Sequence, residues 1–355
     1  MQEEVKIVSI TDSSILIRYA LNTSEKISYK IIPGNMCGTL KEANSIGRFE
    51  VSELQSDKEY KAIISWSNKV REIQFSTLSA PKGELLCKYA IVGDPHLSAK
   101  TENRFGRLHV ESQKVFASII SQINSLEVDF VLSTGDLTEC GSPAEYKMLE
   151  QLLLNLKCPF LSVSGNHDFG YEDESYDLWQ KHFGSLAWRK NIKNIPIVGL
   201  DTHKRLFNTK DNINFFDELI KENLFLILSH YQLFEDEYIL DTDKAVNDLE
   251  KTAAFLDKVK GKKGIIYVGH KNVPACAFMD NLLQVNVPQP THYPCGIMLA
   301  SVYSNGIYHR FEPIFSEILN EYSRKETACR NTLESKPEYR DGNLAEKWNF
   351  VYKIQ

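Results

Sequence analysis

Five short apolar segments in the central part of the chain each end in side chains that bind metal ions or protons. The segment "FLSVSGNHDFG", residues 160–170, begins as a buried strand and then presents Asn166, His167 and Asp168. One such ending would indicate no more than a turn, because Gly, Asn and Asp are common turn residues. Five endings in one chain are not expected from turns alone. They carry Asp94 and His96, Asp136, Asn166 and His167, His230, and His270.

The same part of the chain alternates between strand and helix patterns. Apolar residues at helical spacing occupy the span 108–126, and "SPAE" predicts a helix start with Ser142 and Glu145 as its capping box. A further helix is predicted near 245–259, ended by Gly261. Alternating strands and helices are typical of an α/β fold. Ligands in such folds bind beyond the carboxyl ends of the strands, so we expect the five endings to converge on one crevice.

The N-terminal part of the chain has a different pattern of apolar and polar residues. Six short alternating segments follow one another at intervals of about ten residues, separated by Asp, Ser, Asn and Gly. This spacing predicts an all-β sandwich. The segment "FEVSELQSDKEYKAIISW" resembles the fibronectin type III pattern, in which a Leu precedes a corner Tyr by six residues, here Leu54 and Tyr60. No chemistry is evident in this part, which indicates a spacer or a binding platform.

These patterns predict two domains. We expect a fibronectin type III-like sandwich over residues 1–79, a linker over 80–85 and an α/β domain over 86–355. Pro81 and Gly83 interrupt regular structure in the linker. The C-terminal tail is charged, but Trp348, Phe350, Val351 and Tyr352 indicate that it docks on the body of the protein.

Composition limits the partners of this chain. The net charge of -6 argues against broad nucleic-acid binding, which needs a basic face. No run of eighteen apolar residues predicts a membrane span. The start "MQEEVKIVSI" lacks the features of a signal peptide, and seven cysteines without a CxxC pair fit a reducing compartment. We therefore expect a cytoplasmic protein, or an exported or periplasmic one if a signal peptide was trimmed.

The strand endings resemble the ordered motifs of the calcineurin-like metallophosphoesterases. That family carries D-x-H, G-D, G-N-H-[DE], a lone H after a strand, and G-H-x-H, in this order. The resemblance covers residues 86–312 and implies a four-layer α/β/β/α fold, with two sheets face to face and helices outside. It also implies a centre for two divalent metal ions. The matching segments here are "DPH" (94–96), "GDLTE" (135–139), "GNHD" (165–168), "LSH" (228–230) and "GHKN" (269–272).

The resemblance assigns the ligands position by position. It implies that one carboxylate bridges both ions, because two close dications need an anion between them. A mixed nitrogen and oxygen ligand set suits Mn, Fe or Zn. Such a pair lowers the pKa of a bridging water and clamps a phosphoryl group. The implied ligands are Asp94, His96 and Asn272 for the first ion, Asp136 as the bridge, and Asn166, His230 and His270 for the second.

Three further residues are given roles by the resemblance. His167 matches the general acid that protonates the departing alkoxide. Glu139 stands where purple acid phosphatases have a metal-binding Tyr, so a purple iron centre is not expected, and we predict that Glu139 supports His167. Asp168 is expected to orient the loop.

Asn272 is the main departure, because the family has a histidine there. An amide oxygen is a weaker ligand than imidazole for Zn or Fe but is acceptable to Mn or Mg. A weak dinuclear site, a site with one tight ion and a vestigial site all remain open. We expect a hydrolase of phosphodiesters or small phosphomonoesters, since Asp136 and His167 are retained. The alternative is a weak or inactive relative that binds a phosphorylated ligand or partner.

The sequence leaves the roles of two further groups of residues open. His109 lies near Arg104 and Arg107 at a predicted helix start, and the three could meet a substrate anion or form a solvated helix face. Tyr231, which follows His230, could line the substrate cleft or pack in the core.

Overall fold

The structure of this protein is a computed structural model. It describes residues 3–22, 24–170, 173–207, 209–219, 221–235, 245–273, 275–329 and 348–354. No helix of these residues is both long and apolar enough to cross a membrane.

The N-terminal part is built of two antiparallel sheets. Their strand orders are β1-β2-β5 and β4-β3-β6-β7. In β6 the buried residues alternate with more exposed ones, so one face of the strand meets the core. That core contains Ile17, Ile31, Tyr60 and Ile64. The seven strands are β1 Glu4–Ile10, β2 Ile15–Ala20, β3 Glu25–Ile32, β4 Met36–Ala43, β5 Ile46–Val51, β6 Glu59–Trp66 and β7 Lys69–Ser76.

One of these strands was missed by the sequence pattern. The six predicted segments correspond to β1, β2, β3, β5, β6 and β7, whereas β4 was not predicted. Its sequence, "MCGTLKEA", combines a glycine with polar residues and lacks a clear alternation. The strand forms because β3 pairs with it through a tight turn.

After β7, the part of the chain that the structure describes forms two six-stranded mixed sheets. Sheet I has the order β10-β9-β8-β17-β18-β19, and sheet II has the order β11-β12-β13-β14-β16-β15. Sheet I contains β8 Leu85–Val92, β9 Phe130–Ser133, β10 Phe160–Ser162, β17 Gly296–Tyr303, β18 Gly306–Pro313 and β19 Phe350–Lys353. Sheet II contains β11 Trp188–Ile192, β12 Ile195–Gly199, β13 Leu224–Ser229, β14 Lys263–Val268, β15 Cys276–Met279 and β16 Leu282–Asn286.

Among the described residues, six α-helices accompany these sheets. Within α2, the predicted capping box is confirmed, since Ser142 accepts a hydrogen bond from the main-chain N–H of Glu145. The predicted span 108–126 becomes helical only from Ser112. The helices are α1 Ser112–Leu126, α2 Pro143–Leu153, α3 Asp173–Phe183, α4 Lys210–Leu219, α5 Leu249–Lys258 and α6 Glu317–Ala328.

The two sheets share one buried apolar layer. Tyr89 of sheet I and Tyr267 of sheet II meet in it, with their hydroxyl oxygens 2.7 Å apart. A second apolar cluster joins α1 and α2 to the other face of sheet I. A third joins α4 and α5 to sheet II. The shared layer therefore fixes the distance between the two sheets, whose strand ends carry the candidate site.

The end of the chain lies against sheet I. Strand β19 pairs with β18, and the buried Trp348 donates a 2.6 Å hydrogen bond through Nε1 to the carbonyl oxygen of Asn286. The tail predicted from sequence also includes residues 330–347, which lie outside the described residues.

A buried ion-pair cluster joins the N-terminal sheets to α6. The side chain of Arg18 is 1% exposed, and its Nε lies 2.9 Å from Glu317 Oε2 while Nη2 contacts Glu321. Arg48 of β5 donates a 2.9 Å hydrogen bond to the Ile314 carbonyl oxygen. Buried charges require such pairing, so these contacts hold the two parts of the chain in one arrangement.

The first prediction concerns this cluster. Arg18→Met keeps an apolar side chain of similar length but removes the cation that Glu317 and Glu321 share. Arg48 and Arg324 remain beside the two glutamates, so we expect a loss of about 3 kcal/mol in the free energy of unfolding, at the low end for a broken buried ion pair. Urea denaturation measures this loss. The control Arg71→Met, on an exposed residue of β7, should change stability by less than about 0.5 kcal/mol. Equal losses in the two variants would contradict the assigned role of Arg18.

Candidate metal centre

The five predicted strand endings do meet at one place. Asp94, Asp136 and Asn166 follow β8, β9 and β10 of sheet I, whereas His230 and His270 follow β13 and β14 of sheet II. The Nδ1 atom of His230 lies 2.8 Å from the carbonyl oxygen of Thr134, which links the two sheets directly. The expected convergence at the carboxyl ends is therefore confirmed.

Two groups of ligand atoms share Asp136. The first group contains His96, Asp136 and His167, and the second contains Asp136, His230 and His270. Within each group the atoms lie within 4.8 Å of one another, close enough to hold one ion. Imidazole nitrogens and a carboxylate are suitable ligands for Mn, Fe or Zn. The arrangement could hold two ions with Asp136 between them.

Asp94 and Asn272 lie beside these two groups and contact each other. Asp94 Oδ2 accepts hydrogen bonds from Asn272 Nδ2 (2.7 Å) and from the main-chain N–H of His270 (2.8 Å). Asn272 is 4% exposed, and its Oδ1 has no hydrogen-bond partner among the described residues. A buried acceptor without a partner costs free energy. This oxygen is therefore available to a cation.

Asn166 joins the opposite side of the site. Its Oδ1 lies 3.1 Å from His230 Nε2 and accepts a 3.1 Å hydrogen bond from the hydroxyl of Tyr231. Tyr231 is buried, yet its hydroxyl reaches the site. The ring of Tyr231 thus packs in the core, as one interpretation predicted, while its hydroxyl contacts Asn166.

The backbone is strained at the predicted ligands. Five of these non-glycine residues have positive φ angles, an arrangement uncommon for residues with a side chain. Strain of this kind persists only where the surrounding structure enforces it, and it clusters at functional sites. The angles are 34° for Asp94, 44° for His96, 47° for Asp136, 60° for His270 and 53° for Asn272.

Glycines beside the ligands make room for the carboxylates. A Cβ atom on Gly165 would collide with Asp136 Oδ1, and one on Gly269 would collide with Asp94 Oδ1. Gly135 has a φ of 94°, and a Cβ there would meet the backbone of Gly165. The glycine that precedes a ligand in the sequence is therefore required by close packing.

The loop after β10 is held by Asp168. Its Oδ1 accepts 3.0 Å hydrogen bonds from the N–H and hydroxyl of Thr138, and its Oδ2 accepts a 2.9 Å bond from the N–H of Gly165. Burial raises the pKa of Asp168 to about 7, and the nearby Asp136 adds to the rise. Its contacts tie the loop that presents Asn166 and His167 to the segment after β9.

Glu139 contacts His167 in a way that the sequence did not indicate. The main-chain carbonyl oxygen of Glu139, and not its carboxylate, lies 2.7 Å from His167 Nδ1. The carboxylate lies instead 2.9 Å from His96 Nδ1 and 3.0 Å from Arg107 Nη1. The residue thus contacts two site histidines, one through its backbone and the other through its side chain.

The charges of the site depend on one another. Burial raises the pKa of Asp94 to about 6, with Asp136 adding to the rise. Burial also raises the pKa of Asp136, but the surrounding imidazoles, His230 first, hold it well below its usual range. Burial lowers the pKa of His230, yet Asp136 and Asp94 raise it above its ordinary value overall. Asp136 is therefore the anionic centre of the site.

Basic residues surround Glu139. The sequence left open whether Arg107 and His109 meet a substrate anion or form a solvated helix face, and it did not indicate Lys100. Lys100 and His109 contact the Glu139 carboxylate together with Arg107. Burial raises the pKa of Glu139, but contacts with His109, His96 and Arg107 hold it far below its usual range. His109 is 3% exposed, so it does not belong to a solvated helix face. Lys100, Arg107 and His109 lie in the irregular segment between β8 and α1. That segment has no periodic pattern from which the direction of their side chains could be predicted.

The chain belongs to the calcineurin-like phosphoesterase family. The sequence pattern of that family matches residues 87–289, which is more than half of the chain. The matched region contains every predicted ligand.

Curated relatives match shorter stretches. A probable glycerophosphodiester phosphodiesterase of Arcobacter nitrofigilis is 32% identical over 117 residues, which is 31% of this chain and 42% of that protein. A glycerophosphodiester phosphodiesterase of Enterobacter lignolyticus is 35% identical over 81 residues, 22% of this chain and 28% of that protein. This chain thus spans less than half the length of these two relatives. A probable cyclic nucleotide phosphodiesterase of Ruthia magnifica subsp. Calyptogena magnifica is 27% identical over 177 residues, 47% of this chain and 70% of that protein.

A solved structure shares the fold. The crystal structure of a dimetal phosphatase from Danio rerio superposes with a TM-score of 0.55 and 14% identity, covering 65% of this chain and 97% of that one. At this identity the similarity shows the fold alone.

The second prediction concerns the Glu139 carboxylate. A carboxylate on the far nitrogen of a ligand histidine typically strengthens metal binding by about 10- to 100-fold. We expect Glu139→Gln to weaken Mn²⁺ binding by at least about tenfold, measured by calorimetry. Glu150→Gln, an exposed change on α2, is the matched control and should leave the affinity unchanged. Equal Mn²⁺ affinities in the two variants would show that Glu139 does not act through His96.

Proposed function

We propose that this protein hydrolyses phosphate esters, phosphodiesters or small phosphomonoesters, with the help of two divalent metal ions. The observation that carries the proposal is the position of Asp136, whose carboxylate belongs to two ligand groups and lies beside His167. The Oδ1 of Asp136 accepts a 2.8 Å hydrogen bond from the main-chain N–H of His167. The proposed anionic centre and the proposed acid are thus fixed relative to each other.

The residues present fit a pair of ions of the Mn, Fe or Zn type. Two buried carboxylates, Asp94 and Asp136, and an unpartnered buried oxygen, Asn272 Oδ1, need cations nearby. When bound, two such ions would lower the pKa of a water and clamp the phosphoryl group between them. We assign Asp94, His96 and Asn272 to the first ion, Asp136 to both, and Asn166, His230 and His270 to the second.

His167 is assigned as the general acid. A carbonyl oxygen can only accept a hydrogen bond, so the 2.7 Å contact with the Glu139 carbonyl requires the proton on His167 Nδ1. This leaves His167 Nε2 to exchange a proton with the leaving oxygen of the substrate. Glu139 supports the acid through its carbonyl, and Asp168 supports the loop that carries it.

A phosphodiester is the favoured substrate class. The relatives described above are named for glycerophosphodiesters or cyclic nucleotides, both of which contain phosphodiester bonds. Asn166 and His167 are among the more accessible residues of the site, so a substrate can approach the site on their side. The second candidate function is binding of a phosphorylated ligand or partner with little turnover. It is favoured by Asn272, whose Nδ2 donates to Asp94.

We also propose a finer description of the architecture. The N-terminal residues 1–79 form a fibronectin type III-like sandwich, supported by the 2.9 Å hydrogen bond from the Gln55 N–H to the Tyr60 hydroxyl, as a tyrosine corner requires. Residues 80–85 link it to a catalytic domain over 86–355. Helices on the outer face of each sheet support a four-layer α/β/β/α arrangement for that domain.

The third prediction tests the reaction. With added Mn²⁺, the protein should hydrolyse bis(4-nitrophenyl) phosphate with a higher kcat/KM than 4-nitrophenyl phosphate, read from nitrophenolate release. Asp136→Asn removes the shared anionic ligand and should lower kcat/KM at least about 1000-fold. Absence of turnover with both esters would favour the binding protein, and turnover that survives in Asp136→Asn would place the reaction elsewhere.

The fourth prediction concerns Asn272. Asn272→His supplies a stronger ligand, so the first Mn²⁺ or Zn²⁺ should bind more tightly, by about tenfold, and the diester should turn over faster. Calorimetry and kinetics on the same preparation give the two values. If both stay unchanged, Asn272 does not belong to the first ion.

A further inference from the structure

A cavity of about 310 Å³ lies beside Glu139, outside the two ligand groups. We call it the basic cavity. It is large enough for a small anionic group and is bounded by charged and ring side chains. Its lining includes Lys100, Arg104, Arg107, His109, Glu139 and His292.

The cavity keeps a positive charge although it contains a carboxylate. Lys100 and Arg107 both contact Glu139, so two cations face one anion. Arg104 adds a third cation. Its Nη2 lies 3.7 Å from Glu102 Oε2, but both side chains are mostly exposed and such a pair is weak. Arg104 can therefore turn toward an anion without losing a strong contact.

Nitrogen atoms at the cavity also lack partners. Arg107 Nε and His109 Nδ1 are buried and have no hydrogen-bond partner among the described residues. Arg107 is always protonated, so its Nε can only donate. A bound anion would accept a hydrogen bond from it, and hydrogen bonds between ionised partners are the strong ones.

The basic cavity adjoins the proposed leaving-group side of the site. The carboxylate of Glu139 lines the cavity, while its carbonyl oxygen lies 2.7 Å from His167 Nδ1. One residue thus separates the cavity from the proposed general acid. A group attached to the leaving oxygen would extend from His167 toward Lys100 and Arg104.

We propose that the basic cavity binds a second anionic group, a carboxylate or phosphate carried on the leaving-group part of the substrate. This inference rests on the proposed phosphoesterase function and narrows its substrate class. Arg104 and Lys100 at the mouth select the charged group, whereas Arg107 and His109 lie deeper beside Glu139. Esters with a negative charge on the departing alcohol are therefore preferred over uncharged ones.

The test uses two methyl aryl phosphodiesters that differ only on the phenol, one with a 3-carboxylate and the other with an uncharged 3-carboxamide. The wild-type protein with Mn²⁺ should show a kcat/KM about tenfold higher for the carboxylate, as one charge-assisted contact gives. In Arg104→Gln and Lys100→Gln, the ratio of kcat/KM for the carboxylate ester to kcat/KM for the carboxamide ester should fall toward one. Lys147→Gln, which removes an exposed charge from α2, should keep the wild-type ratio. Turnover with a ratio near one in the wild type, or a ratio unchanged in Arg104→Gln, overturns the proposal.

A binding measurement separates this proposal from the proposed reaction. Benzoate carries the anionic group without an ester, and its affinity is measured by calorimetry for the wild type, Arg104→Gln and Lys147→Gln. If benzoate binds more weakly to Arg104→Gln but not to Lys147→Gln, the basic cavity is supported as an anion site. This holds even if neither ester is hydrolysed, because absence of hydrolysis refutes only the proposed reaction. Equal affinity in all three proteins, or no binding, refutes the cavity.

Discussion

The carboxylate of Asp136 is 2% exposed and lies between imidazoles that come from both sheets. His96 Nε2 is 3.5 Å from its Oδ2 and His230 Nε2 is 3.4 Å from the same atom. A buried anion needs such compensation, so the carboxyl ends of the two sheets must stay in contact. The apolar layer between the sheets, with the Tyr89–Tyr267 hydrogen bond inside it, maintains that contact. The apolar core thus keeps the imidazoles of both sheets close to the Asp136 carboxylate.

This arrangement has a cost in backbone strain. The left-handed angles at Asp94, His96 and Asp136 would relax if the loops were free. They persist because main-chain hydrogen bonds tie the loops together, among them the 3.0 Å bond from the His96 N–H to the Asp136 carbonyl oxygen. Gly165 and Gly269 remove the side chains that would prevent this approach. Rigid positioning of ligands is therefore obtained at the expense of local stability.

The sequence predicted the parts of the site that follow from strand order. Asp94, Asp136 and His230 could be placed because each follows a recognisable apolar strand, and α/β topology brings such ends together. It could not show that the Glu139 carboxylate faces His96, since side-chain direction within an irregular loop has no periodic signal. The burial of His109 was missed for the same reason. Strand β4 was missed because its pairing with β3, and not its own pattern, makes it a strand.

Asn272 also changes the site in the absence of any ion. Its Nδ2 donates to Asp94 Oδ2 and to the His270 carbonyl oxygen, so the amide partly satisfies a carboxylate that burial would otherwise leave uncompensated. An ion that binds Asp94 through Oδ2 would compete with that hydrogen bond, whereas a histidine at position 272 would offer a ring nitrogen as a ligand. For the proposed first ion, Asn272 would thus weaken binding in two ways, through the poorer ligand atom and through the hydrogen bond that an ion on Oδ2 would replace. In the absence of ions, the same hydrogen bond keeps the Asp94 carboxylate in position.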